Sequence, residues 1–148
     1  MTQVRLDDTR PETPAAKARA AEVAVRAQRS PWAASLLAVV FPGLGHLYLG
    51  RRPRAALFAV LVLAAAALGV ILHGNLWTPV PGRPLTWLAT IGTMGMGAPY
   101  FLLLFGLRYA GDITAPGFEY GTAFLLGAGL MNLLLVLDAW DIATGRKE

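Results

Sequence analysis

Two tracts of this chain run uncharged for the length of a bilayer core, and nothing else in the sequence limits its folding options as strongly. One follows the basic cluster Arg51, Arg52 and Arg54 and continues through Leu72. The other starts at Tyr120 and reaches Leu137 before Asp138 interrupts it. About twenty apolar residues in a helix cross a hydrocarbon layer of roughly 30 Å. Hydrophobic residues make up 55% of the 148 and charged residues 15%. A soluble domain of this size has too little interior to hide so much apolar surface. No period-2 alternation of the kind a transmembrane barrel needs is present. The sequence therefore reads as an all-α membrane protein with three to four hydrophobic helices.

The chain divides at about residue 30. Residues 1–30 form a basic tail with no apolar central stretch of the signal-peptide kind. Thr13-Pro14 has the form of a helix start, with Thr13 as N-cap and Pro14 in the first turn. The alanine-rich run that follows, with Glu22 and Arg26 one turn apart, fits a short surface helix beside anionic headgroups; a disordered basic tail is the alternative. Residues 31–148 form the helical transmembrane domain, with segments at about 32–49, 54–72, 85–107 and 120–140. Pro42-Gly43 falls inside the first, which is either kinked or re-entrant, because proline removes a helix hydrogen bond and clashes with the preceding turn. Pro99 is expected to kink the third. Trp77 and Trp87 fall where an interfacial aromatic belt would lie, and no internal repeat is visible.

The sequence pI near 10.0 is accounted for by basic residues flanking membrane segments rather than by nucleic acid. Arg5, Arg10, Lys17, Arg19, Arg26 and Arg29 precede the first segment. The positive-inside rule then places the N-terminus in the cytoplasm, at a bacterial inner membrane, whether segment one spans or re-enters. Arg51, Arg52 and Arg54 are expected to meet lipid phosphates.

The residues Phe41-Pro42-Gly43-Leu44-Gly45-His46-Leu47-Tyr48-Leu49-Gly50, followed by a basic turn and an apolar helix, resemble the signature of the two-transmembrane-helix domain family. Proline stands where that family has a small residue before the first glycine, and the acidic or Arg-Phe turn motif of some animal members is absent. Similar PGLGH-x-Y-x-G segments occur in uncharacterised bacterial multi-pass proteins, which the chain also resembles in its second half. The resemblance implies a helical hairpin and no particular activity. Read physically, Pro42, Gly43, Gly45 and Gly50 bend and pack tightly, while His46 and Tyr48 suit the headgroup level.

Side chains able to do chemistry are sparse. The chain has no cysteine, which excludes disulfides and Cys-based metal sites. No carboxylate falls at helical spacing from His46 or His73, so neither forms a metal site by itself. His73 lies one turn after Gly69, a spacing that pigment-binding helices use, and it and His46 are the candidates for a cofactor; no cofactor is expected. Ser30 and Ser35 lack a partner lysine, and no phosphate-binding loop is present. Asp138 and Asp141 read as a solvated helix end paired with Arg146 or Lys147. Gly92, Gly95, Gly97, Ala123, Gly127 and Asn132 are expected to mediate helix–helix packing, with Asn132 bonding between helices. These features lead to a non-enzymatic accessory or scaffolding subunit, partnered by lipid and by other membrane subunits or copies of itself. One alternative is an oligomeric channel or transporter component with a lumen lined by Asn132, Thr90, Thr93 and Tyr100; the other is a pigment- or cofactor-binding subunit using His73.

Overall fold

A computed structural model describes residues 13–18 and 30–146, and among these it contains helices and no strands. Residues 14–18 are helical. Thr13 opens that turn, its Oγ1 accepting from the Ala16 N–H at 3.4 Å. The remainder of the expected surface helix and Lys147 lie outside the described residues.

The main body has six helices: α1 (Pro31–Val40), α2 (Leu44–Tyr48), α3 (Arg52–Ile71), α4 (Pro84–Met94), α5 (Ala98–Phe101) and α6 (Phe118–Ala143). A wide π turn, Leu102–Gly106, continues α5. Proline stands in the first turn of α1, α3, α4 and α5, where its missing N–H has no helical partner to lose. The long helix α6 carries the fold, since α1, α3 and α4 all pack on it.

Among the described residues only α3 and α6 are long and apolar enough to cross a membrane on their own. The 10 residues of α1 rise roughly 15 Å, half a hydrocarbon core. The chain then breaks at Phe41, which is extended, and at Gly43, whose φ is 85°. From there α2 folds back on α1, so that Gly45 lies against Ala34, Ala38 and Ala139. Segment three differs from the sequence expectation of one kinked helix. α4 and the α5–π stretch are separate, bent by 115°. The bend is made by Gly97 at φ 71°, and Pro99 starts the second half rather than kinking a continuous one. The pair counts as a third span only if it is taken as a single broken helix.

Contacts fix the directions. Trp32 packs edge-on against Trp140 with centroids 4.8 Å apart, and Ala38 reaches Asn132, so α1 runs antiparallel to α6 and stops midway along it. Gly69 lies on Leu125 and Gly121, so α3 is antiparallel to α6 over its length. Gly92 faces Leu126 and Gly95 faces Leu133, so α4 runs parallel to α6 from the other end and also stops midway. The α5–π stretch returns to that end, where the Tyr100 hydroxyl donates to Trp77 O at 2.9 Å and that of Tyr109 to Gly74 O at 2.9 Å.

A pattern invisible in the residues thus appears in space. A half-length helical hairpin followed by a long helix occurs twice, and the two hairpins approach α6 from opposite ends. Each has its own core. Ala34, Ala38, Leu49 and Ala139 are buried around α1 and α2. Val62, Ala66, Leu76, Met96, Tyr100, Leu103, Leu125 and Ala128 are buried around α5.

Candidate functional site

The two hairpin tips meet at the middle of α6. A broken helix leaves its last carbonyls without intrahelical donors, and away from water such groups must find partners. Asn132 supplies two. Its Nδ2 donates to Ala38 O at 3.0 Å and to Gly95 O at 2.8 Å, one carbonyl from each tip. Both partners are acceptors, so only this orientation of the amide forms the bonds. The Asn132 Oδ1 is buried with no partner. Gly97 completes the junction: a Cβ there would collide with the carbonyl oxygens of Val39 and Val40, and its positive φ is one that other residues rarely adopt.

The neighbouring polar groups are likewise directed to the backbone. Thr90 Oγ1 donates to Thr86 O at 2.7 Å and Thr93 Oγ1 to Ala89 O at 2.8 Å. With Tyr100 and Asn132 they are buried. These four are the side chains that the channel alternative places along a lumen, and each donates to a backbone carbonyl.

A second polar pair lies nearer the ends of the chain. His46 is fully buried, and its Nε2 sits 3.0 Å from Asp138 Oδ2. Its ring packs edge-on against Phe58 at 4.9 Å, while Nδ1 is buried without a partner. The fold-back of α2 thus packs His46 against α3 and α6 rather than on the protein surface. Asp138 is likewise not one half of a solvated pair. Asp141 does face Arg146, at 3.8 Å.

The other singled-out residues fall as follows. Pro42 is buried at the tip and Tyr48 packs on the α1–α2 core. Gly50, at φ 80°, closes α2, with Arg51 N–H bonding His46 O at 2.9 Å, the arrangement of a Schellman cap. Arg51, Arg52 and Arg54 gather at the start of α3, which has no acidic residue in its first turn. Gly92, Gly95 and Gly97 pack within the chain. Gly127 does not: nothing lies within 4 Å of a Cβ built on it, and with Ala123 it lines an open groove.

His73 takes the left-handed position after α3, at φ 57°, with His73 N–H bonding Val70 O at 3.0 Å and Gly74 N–H bonding Gly69 O at 2.9 Å. Gly69, the small residue one turn earlier, is covered by Leu125 and Gly121, so the space a planar ring would use is taken by α6. Beyond it, Asp112 Oδ1 accepts from the Thr114 hydroxyl at 2.6 Å and the Thr114 N–H at 2.9 Å. These bonds, with a smaller effect of His73, hold its carboxyl below the usual value. Among the described residues no group of three or more His, Cys, Asp or Glu could hold a metal ion.

A family model matches residues 33–148, which takes in both hairpins, both long helices, Asn132 and the His46–Asp138 pair. The chain belongs to DUF6677, a family of unknown function. No curated protein matches this DUF6677 member. No solved structure matches it either.

Sequence reasoning missed the His46–Asp138 contact because 92 residues separate the partners. A signal was nonetheless present. An isolated histidine in one apolar segment and an isolated acid late in another are the groups that pair when a chain folds in lipid.

Proposed function

We propose that this DUF6677 chain is a non-catalytic inner-membrane protein whose two spans, α3 and α6, hold two re-entrant hairpins inserted from opposite sides. The observation that supports it is the junction at Asn132, where the interior polar groups are engaged with backbone carbonyls. Side chains so engaged serve as glue between helices and leave little for binding a transported solute. In this topology both termini lie on the cytoplasmic side. All but two of the 13 Lys and Arg then share that side, the exceptions being Arg83 and Arg108, which is the asymmetry the positive-inside rule favours. Arg51, Arg52 and Arg54 oppose the dipole at the start of α3, and anionic headgroups there would reverse that penalty. The tip of the first hairpin is the part that resembles the two-transmembrane-helix domain family. Its role is that of an accessory or scaffolding subunit of a membrane assembly.

The experiment has two parts. Reporter fusions at residue 1 and residue 148, and single cysteines near Arg83 and at Ile113, read topology in a chain that has no cysteine of its own. Both termini report the cytoplasm, and both cysteines react only from the other side. Extraction in mild detergent then recovers a partner subunit or a homo-oligomer. A monomer that elutes alone removes the accessory role.

The second reading, a transporter component, is favoured by one observation: broken helices meeting midway across a bilayer are also how transporters build their sites. Water-accessibility labelling of a cysteine placed at Thr93 separates the two, since an aqueous site labels and glue does not.

A further inference from the structure

We infer that the groove between α3 and α6 is a binding site for one acyl chain of a phospholipid in the leaflet opposite the termini. The groove has a volume of about 370 Å³ and is lined by Ala65, Tyr120, Ala123, Phe124, Gly127 and Met131, among others. Its lining carries no charged side chain. Gly127 forms its floor, and the space above that residue is unfilled by the protein.

The length of the groove argues for an acyl chain over a helix. From Tyr120 to Met131 a helix rises roughly 17 Å, close to half of a ~30 Å hydrocarbon core. The groove therefore begins at the interface and ends beside Asn132, midway along α6, as an acyl chain of a single leaflet does. A second membrane span, from a partner or from another copy, would continue past Met131. It would there meet Leu134, which lies on the same face as Gly127 seven residues on and is 65% exposed. The small-residue surface that close helix contact requires stops halfway. At the mouth stands Tyr120, 70% exposed, its hydroxyl at the depth where interfacial tyrosines meet lipid ester and phosphate oxygens. The site is independent of the accessory role proposed above but rests on the membrane topology given there.

The test uses the full chain reconstituted in dioleoylphosphatidylcholine vesicles, extracted in mild detergent and measured intact by native mass spectrometry. The wild type retains one phospholipid. Gly127→Leu adds a side chain whose Cβ meets no protein atom within 4 Å and lowers the lipid-bound fraction about tenfold, equivalent to ~1.4 kcal/mol. Circular dichroism and thermal unfolding of the variant stay as in the wild type, so loss of lipid is read on a folded protein. Leu36→Ala, on an exposed face away from the groove, retains the lipid. Equal lipid retention by wild type and Gly127→Leu overturns the inference. So does a lipid-free wild-type dimer that Gly127→Leu dissociates, which would assign the groove to a second copy.

Discussion

His46 Nε2 lies 3.0 Å from Asp138 Oδ2, and this contact ties the first hairpin to the C-terminal third of α6. The histidine is fully buried while the Asp138 side chain remains 28% exposed, so the pair spans the boundary between protein interior and surface.

Removing either member should destabilise the fold, and the two losses should not add. His46→Ala and Asp138→Asn are each expected to lower stability, and the double variant to show a coupling of about 0.5–3 kcal/mol. Thermal or denaturant unfolding of the four proteins in detergent supplies the cycle. Strict additivity would mean that the contact contributes nothing.

Asn132→Leu leaves Ala38 O and Gly95 O without their donors. The expected cost is about 1–3 kcal/mol, the desolvation penalty of buried groups left unpaired. Asn132→Asp should cost more, because an ionised carboxylate brings only acceptors to two carbonyls. Both are read from unfolding midpoints, and an unchanged Asn132→Leu would remove the junction from the account of stability.

Two glycines, one at the α4–α5 break and one inside α6, should differ sharply. Gly97→Ala meets the Val39 and Val40 carbonyls in a left-handed backbone conformation, and a loss above about 2 kcal/mol is expected. Gly127→Ala points into open space and should be neutral to within about 0.5 kcal/mol. Expression level and melting temperature of the two variants make the comparison.

The carboxyl of Asp112 is held below its ordinary value of 3.8 by the two bonds from Thr114 and, to a smaller degree, by His73. A lowered folded value means that the ionised group favours the ordered turn above that ordinary value. The contribution is then lost as the pH falls through the folded value, below 3.8. Carboxyl chemical shifts should show Asp112 titrating below 3.8, and Thr114→Val should move it upward. A titration unmoved by that substitution would contradict the assignment of the cause.

Much of the architecture is legible in the residues. The uncharged runs around α3 and α6 give both long helices, and Pro42-Gly43 marks the first break, because a proline inside an apolar run is a local signal. The second break is less legible. Gly95, Gly97 and Pro99 signal a bend, yet its 115° depends on Val39 and Val40 arriving from the other half of the chain. The same holds for the site. Asn132 reads as an interhelical donor from its position in an apolar helix, but its two acceptors are carbonyls exposed only because two helices stop. His46 reads as amphipathic and interfacial, and is buried because α2 doubles back. Spacing along one helix reports neighbours within that helix; contacts made by fold-back have no period to detect.

Asn132 belongs to a helix that follows both hairpins in the sequence, and this orders events during synthesis. Until α6 has left the ribosome and entered the bilayer, the carbonyls of Ala38 and Gly95 have no amide to receive them and neither half-length hairpin has a wall to lean on. The earlier segments must therefore wait, sheltered by the insertion machinery or by lipid, and a chain cut short before Phe118 should be a substrate for quality-control proteases rather than a smaller version of the same protein.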